Sequence, residues 1–339
     1  MSDLEALIHR ADPSQLLLEI DRLVDRRDWD GLVVLRDRCE AAVELGKQLW
    51  PVAQFAEYRL ALEAPGPYAA AVCQPGAGRF ALGPLTEVAG STHRWDDLAD
   101  HLPAPWTAAT VAQERVIRGE DLTGDRRAHA EEFDLPLRLQ PWEPPYPLPT
   151  YRPYDRHEGG PDPIDVEHRP ADSVPAPPVD LPDVRRALAD VASEWAERSN
   201  GGCHVVTVRG EAAGAAAALL PGAVAIAPLP APDALAQLAW TAASGGAYGR
   251  RRGMAAARSA LLWFVHRATS LPFPADLDAL TEAVAADLAW YHMAGGEGDR
   301  GWNLRLAVEH RSAGWAAAID AWDRFRDDAD ADAHSNRPW

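Results

Sequence analysis

The chain has 339 residues, of which 47% are apolar and 25% charged, with 13 tryptophans and a formal charge of −18 at pH 7. That length and composition can bury a sizeable core, lie outside the aromatic-poor range of disordered chains, and predict about two domains. So much negative charge repels a phosphate backbone, which excludes a large nucleic-acid footprint.

No apolar run approaches the roughly 20 residues of a membrane span. The best candidate, residues 214–226, is alanine-dominated and interrupted by Pro221 and Gly222. The first residues, Met1-Ser2-Asp3-Leu4-Glu5, are acidic where a secretory signal is basic, so a cytoplasmic protein without a membrane partner is expected. Cys39, Cys73 and Cys203 are odd in number and contain no Cys-x-x-Cys pair. They support neither a disulfide framework nor a thiolate zinc site and read as buried, reduced thiols. Lys47 is the only lysine; arginine richness here reflects a high-GC coding bias.

In chain order, residues 1–135 carry a succession of helix signals. Ser2 and Glu5 form a capping box, and Asp12-Pro13 supplies a cap and an N1 proline before Leu16, Leu17, Ile20, Leu23 and Val24. Asp28 or Asp30 opens a helix with the stripe Leu32, Leu35, Cys39 and Val43, and Gly46 stops it. Pro51 opens the next, with Val52, Phe55, Ala56 and Leu60, which ends at Pro65-Gly66-Pro67. Residues 76–82 read as a short strand or a loop. Ser91-Thr92 caps Trp95 to Leu102, and a helix follows from Trp106 to Arg118. Short helices with brief connectors fit a helical bundle or an α-solenoid, a type of lobe that commonly binds protein.

Residues 136–182 read as a proline-rich connector. Pro141, Pro144, Pro145, Pro147, Pro149 and Pro153 alternate with Trp142, Tyr146, Tyr151 and Tyr154, which excludes helix and favours extended polyproline II. The aromatic half should pack on a lobe, and the half from Gly159 should be solvated. His157, Glu158, Asp162, Asp165, Glu167 and His168 offer metal-ligand types, but their spacing aims no two of them at one point. A solvated charged loop is the better reading, and no metal is expected.

Residues 183–326 read as an α+β lobe with a small sheet covered on one face, so the fold class expected is mainly α with this mixed lobe. A helix with Val184, Leu188, Val191 and Trp195 precedes strands at 203–208 and 224–227, with residues 211–220 helix or strand. Helices follow at 233–243 and 254–268, then one bearing Leu277, Leu280, Val284, Leu288 and Tyr291. After a turn at 295–301, Trp302, Leu304, Leu306 and Val308 alternate as in a half-buried strand. Ser312 is read as the cap of a last helix with Trp315, Ile319 and Trp322 on one face, and residues 327–339 as an acidic, frayed tail.

Ser244 to Gly253, in the order Ser-Gly-Gly-Ala-Tyr-Gly-Arg-Arg-Arg-Gly, carries the candidate site. Gly245, Gly246 and Gly249 let backbone amides approach an anion, and Arg250, Arg251 and Arg252 supply guanidinium forks beside Tyr248. Arginines at a helix N-terminus oppose its dipole by roughly 0.3–1 kcal/mol each, which points to a use for the charge. The alternative is structural: close helix crossing and ion pairs with the protein's own carboxylates. The order matches neither a P-loop nor a dinucleotide fingerprint. No Gly-x-Ser-x-Gly elbow is present, Cys203 and His204 alternate on a strand, and His292, Glu297 and Asp299 sit near a glycine-rich turn. The sequence nominates no catalytic residue and no cofactor.

Gly245 to Gly253, with the tryptophan-bearing helix after it, and Gly301-Trp302-Asn303-Leu304-Arg305-Leu306-Ala307-Val308-Glu309 resemble uncharacterised proteins common in actinobacteria. The resemblance covers about the last third of the chain. It implies a high-GC bacterial origin, nothing catalytic, and transfers no functional residue. The expected function is a non-enzymatic protein-binding or scaffold component of a bacterial multi-protein system, its partner another protein. The alternative is an enzyme or sensor that takes a small phosphate- or carboxylate-bearing ligand at the Gly/Arg loop.

Overall fold

A computed structural model describes residues 3–171, 174–274, 276–295 and 301–325. It divides into two compact units that exchange a segment: Met1–Leu139 with Pro149–Gly159, and Gln140–Leu148 with Gly160 onward. Helix makes up 49% and strand 15%, so the chain is mixed α+β rather than purely helical.

The first unit is built from α1 (Asp3–Arg10), α2 (Pro13–Asp25), α3 (Trp29–Glu44), α4 (Trp50–Glu63), α5 (Gly66–Ala71), α6 (Leu85–Thr92), α7 (Trp95–Leu98) and α8 (Pro105–Ile117). The Gln15 N–H donates to Asp12 Oδ1 (3.2 Å) and the Gly31 N–H to Asp28 Oδ1 (3.0 Å), so both aspartates cap the helices they precede. Asp12→Ala should therefore cost about 1 kcal/mol, read as a lowered urea midpoint. The stripe of α2 is buried at Leu16, Ile20, Leu23 and Val24. The α4 helix is buried on nearly every side, from Val52 to Leu62, as a central helix must be. It packs against α2, α3 and α6, and α6 against α8. Ser91 and Thr92 end α6; the cap of α7 is instead Arg94, whose N–H donates to Asp97 (3.1 Å). Ser2 lies outside the described residues. Residues 76–82 form turns, with no strand. A two-residue pair, β1 (Thr150–Tyr151) with β2 (Arg156–His157), completes this unit, and Tyr151 donates its hydroxyl to the fully buried Glu87 (2.7 Å).

The second unit is larger in sheet than the sequence reading allowed. Its six strands run antiparallel in the order β3-β5-β6-β7-β8-β4. They are β3 (Arg169–Pro170), β4 (Gly202–Arg209), β5 (Val224–Leu229), β6 (Leu288–Gly295), β7 (Trp302–His310) and β8 (Trp315–Asp323). The helices are α9 (Pro182–Val191), α10 (Ser193–Arg198), α11 (Ala212–Leu219), α12 (Ala231–Ala243), α13 (Met254–Thr269) and α14 (Leu277–Asp287). The expected final helix is the strand β8, paired with β7 from Trp302↔Asp323 to His310↔Trp315. The helix expected to run through Tyr291 ends at Asp287, and β6 begins at the next residue.

Helices cover both faces of this sheet, not one. On one face α11 meets Val206, Val208, Ala307, Ala316 and Ala318, where its own Ala212, Ala215 and Ala216 allow close approach. On the other, Trp240 of α12 meets Trp302 and Phe264 of α13 meets Trp290. The proline-rich stretch divides between the units. Trp142 and Tyr146 are buried in the second unit, Tyr151 in the first. The half from Gly159 supplies the edge strand β3, and Pro178 bridges Val208 on the opposite edge.

Candidate functional site

The Ser244–Gly253 tract joins α12 to α13 and folds back on itself. The Arg252 N–H donates to the Ala243 carbonyl at the helix end (2.8 Å). A Cβ on Gly245 would stand 2.3 Å from the Arg250 carbonyl carbon, and one on Gly249 2.1 Å from the Gly245 oxygen. Only glycine permits strands of backbone to pass so closely.

The tract is held down from below by one carboxylate. Asp323 ends β8, is 0% exposed, and accepts hydrogen bonds from the backbone N–H of Ala247, of Asn200 (3.2 Å) and of Arg324 (2.9 Å). Gly246 adopts φ +67°, and a Cβ there would lie 2.0 Å from Asp323 Oδ2. The Tyr248 N–H donates to Ser199 Oγ (2.9 Å), which fixes the loop to the end of α10. The indole N–H of the fully buried Trp195 donates to Ser244 Oγ (2.9 Å). Three segments distant in sequence thus meet at Asp323: the end of α10, the glycine loop and the end of β8.

Above this latch is an aromatic cluster open to solvent on one side. The Trp195, Trp240 and Trp302 rings lie 5.7–6.5 Å apart. Phe325 sits 6.0 Å from Trp302 and 5.6 Å from Tyr248, and both Phe325 and Tyr248 are more than half exposed. Arg250 and Arg252, which follow Tyr248 in the loop, Arg324, which precedes Phe325, and Arg198 at the end of α10 are exposed, while Arg251 is buried. Arg252 and Arg198 share the carboxylate of Glu194, at 3.8 and 3.6 Å, and Arg252 also reaches Ser193 Oγ (3.5 Å). Glu194 itself is buried, and Glu197 is the exposed acid of α10.

Asp323 escaped the sequence reading because β8 was taken for a helix, and a single aspartate before an acidic tail carries no signal of its own. Phe325 and Arg324 were missed for the same reason.

Other candidates are dispersed. His157 and Glu158 belong to the first unit, whereas Asp162, Asp165, Glu167 and His168 belong to the second. Among the described residues no group of three or more His, Cys, Asp or Glu side chains is placed to hold a metal ion. His168 instead meets His292, Nε2 to Nδ1 at 2.7 Å. Glu297 and Asp299 lie outside the described residues. Asp162 and Asp165 line a 440 Å³ cavity with Asp233, Tyr146 and Leu229. A 520 Å³ cavity in the first unit is lined by Asp96, Asp97, Glu120 and Asp125, of which Asp96 and Asp125 pair with Arg127 (2.7 Å each) and Glu120 with Arg115 (2.7 Å). Burial pushes the thiols of Cys39 up to about 11 and of Cys73 and Cys203 up to about 12, so all three are poor nucleophiles at neutral pH.

A family of unknown function (DUF6183) has a model that matches residues 14–314. The chain belongs to that family. The match takes in both units, so the family likeness extends over most of the chain rather than the last third alone. No curated protein and no solved structure matches the chain. No helix among the described residues is long and apolar enough to cross a membrane.

Proposed function

We propose that this family member is a non-enzymatic binding protein that docks an acidic segment of a partner protein on the face formed by Tyr248, Phe325, Arg198, Arg252 and Arg324. The observation that carries the reading is the contact of two exposed aromatic rings, Tyr248 and Phe325, on segments that also carry the exposed Arg250, Arg252 and Arg324, in a chain with net charge −18. Aromatic residues and arginine are the side chains enriched where protein interfaces store their binding energy. A basic face on an acidic molecule also steers an acidic partner toward one orientation.

Rigidity supports the same reading. The loop is tied through Asp323 and Ser199, so little ordering entropy remains to be lost when a partner binds. The alternative, a small external anion at the glycines, fits less well. The Ala247 amide that such an anion would seek already donates to the carboxylate of Asp323. In this reading the glycines serve the latch, and the exposed arginines serve the partner.

The test is the variant Arg198→Gln/Arg252→Gln/Arg324→Gln, compared with wild type by melting temperature and by quantitative mass spectrometry of proteins co-purified from the native host. Because Arg198 and Arg252 pair with the buried Glu194, the variant should lose about 1–3 kcal/mol of stability, and binding is compared well below its melting temperature. At least one partner recovered with wild type should fall about tenfold or more, as loss of about 1.4 kcal/mol of binding energy implies. An identical set of partners at identical yield would overturn the proposal.

A further inference from the structure

The 440 Å³ cavity of the second unit shares no lining residue with the Tyr248–Phe325 face. Two proline-rich stretches, residues 145–147 and 160–166, line it together with Leu229 of β5 and Ala236 of α12. Both stretches are fastened in place. Glu143, held by the buried Arg258, accepts the proton of the Tyr146 hydroxyl (2.6 Å), and Gln237 Nε2 donates to the Asp162 carbonyl (3.3 Å). Such a cleft stands open before anything binds, and its volume falls within the roughly 300–1,000 Å³ of ligand sites.

Its chemistry is one-sided. Asp162, Asp165 and Asp233 line it and are exposed, and among the described residues no basic side chain lines it. Among the same residues, none of the three carboxylates accepts a hydrogen bond or joins an ion pair. The remaining polar side chain of the lining, Tyr146, already gives its proton to Glu143. Pro145, Pro147, Pro161 and Pro163 carry carbonyls but no N–H. An occupant must therefore bring donors, positive charge and apolar surface together. Arginine does so, with five N–H donors and no acceptor on an aliphatic stem that packs along apolar walls. Its planar fork also matches carboxylates two bonds at a time, where lysine offers a point charge.

We propose that this cleft docks an arginine-bearing apolar segment of a partner protein, with the guanidinium against Asp162, Asp165 and Asp233 and the flanking apolar residues on the prolines. The inference goes beyond the reading of the arginine face and does not depend on it. One unit then presents two docking surfaces of opposite charge.

The probe is the synthetic tripeptide acetyl-Leu-Arg-Leu-amide, titrated calorimetrically into the full chain beside its lysine and glutamine analogues and free arginine. An exposed ion pair is worth a factor of up to about five, so with three carboxylates the arginine peptide should bind about tenfold more tightly than the glutamine peptide. It should also bind more tightly than the lysine peptide. Asp162→Asn/Asp165→Asn/Asp233→Asn should erase the preference for arginine while its melting temperature stays near that of wild type. Tyr248→Ala/Arg324→Gln, on the other face, should bind the arginine peptide as wild type does. Equal binding of the arginine and glutamine peptides, a preference that survives in the asparagine variant, or no binding of the arginine peptide at millimolar concentration would overturn the proposal. Lysine bound as tightly as arginine would overturn the choice of guanidinium. Free arginine bound as tightly as the peptide would make the cleft a small-molecule site and overturn the docking of a partner segment.

Discussion

Arg258→Met should destabilise the second unit by about 3–5 kcal/mol, the largest effect expected of any single substitution that leaves the backbone unstrained. Arg258 is 0% exposed and grips Glu143 with two parallel bonds of 2.7 Å, Nε to one oxygen and Nη2 to the other. Glu143 lies in the proline-rich stretch Gln140–Leu148, which the second unit incorporates. Pro141, Pro144, Pro145 and Pro147 have no N–H to give, so this stretch cannot be held by a strand ladder. It is held by side chains: Glu143 accepts from Arg258, from the Tyr146 hydroxyl (2.6 Å) and from the Gln140 N–H (2.9 Å). Removing the guanidinium strands a buried carboxylate with only its two neutral donors. The double variant Arg258→Met/Glu143→Gln should recover most of the loss, because the glutamine oxygen can still accept those bonds and no charge remains buried. Urea midpoints of the three variants decide it. A loss below about 1 kcal/mol for Arg258→Met would mean that water reaches the pair and that packing alone holds the stretch.

Where local chemistry determines an element, the sequence reveals it. Asp12-Pro13 and Asp28 are caps because an aspartate side chain can reach the amide three residues on, whatever the rest of the fold does. The strand β7 is legible because Trp302, Leu304, Leu306 and Val308 alternate with residues of another character. Its neighbour β8 is not. Both faces of Trp315–Asp323 are covered, so apolar residues fill successive positions and the period of two disappears. The alanines that let α11 approach are also strong helix formers, and Trp315, Ile319 and Trp322 fall at helical spacing by coincidence. The same ambiguity hid β6, whose first residues continue the apolar rhythm of α14. The glycine tract was legible as a place of close backbone approach. What approaches it was not, since Asp323 is 76 residues from Ala247 and reaches it only through sheet pairing. The arginines were read as one group, but burial separates them: Arg251 is inside, Arg250 and Arg252 outside.

Asp323→Ala should cost about 2–4 kcal/mol and, although the carboxylate is buried beneath the face, should weaken partner binding as well. Three amides converge on it, and each buried N–H left without an acceptor is worth about 1–3 kcal/mol, with partial relief where the chain can relax toward water. The second effect follows from position. Tyr248 and Phe325 are placed by the segments that Asp323 joins, so releasing it loosens the ring pair and restores an ordering cost to binding. A double-mutant cycle with Gly246→Ala isolates the latch. In wild type the new Cβ meets Asp323 Oδ2 at 2.0 Å and also a positive φ, so the substitution should cost about 2–4 kcal/mol. In the Asp323→Ala background the oxygen is gone, and the cost should fall toward the roughly 1–2 kcal/mol that a left-handed backbone imposes on any L-residue. The two losses should therefore be less than additive by about 1 kcal/mol or more, the behaviour of groups in contact. Strict additivity would mean that Gly246 and Asp323 do not constrain each other, and the loop would then owe its position to Trp195, Ser244 and Ser199 instead.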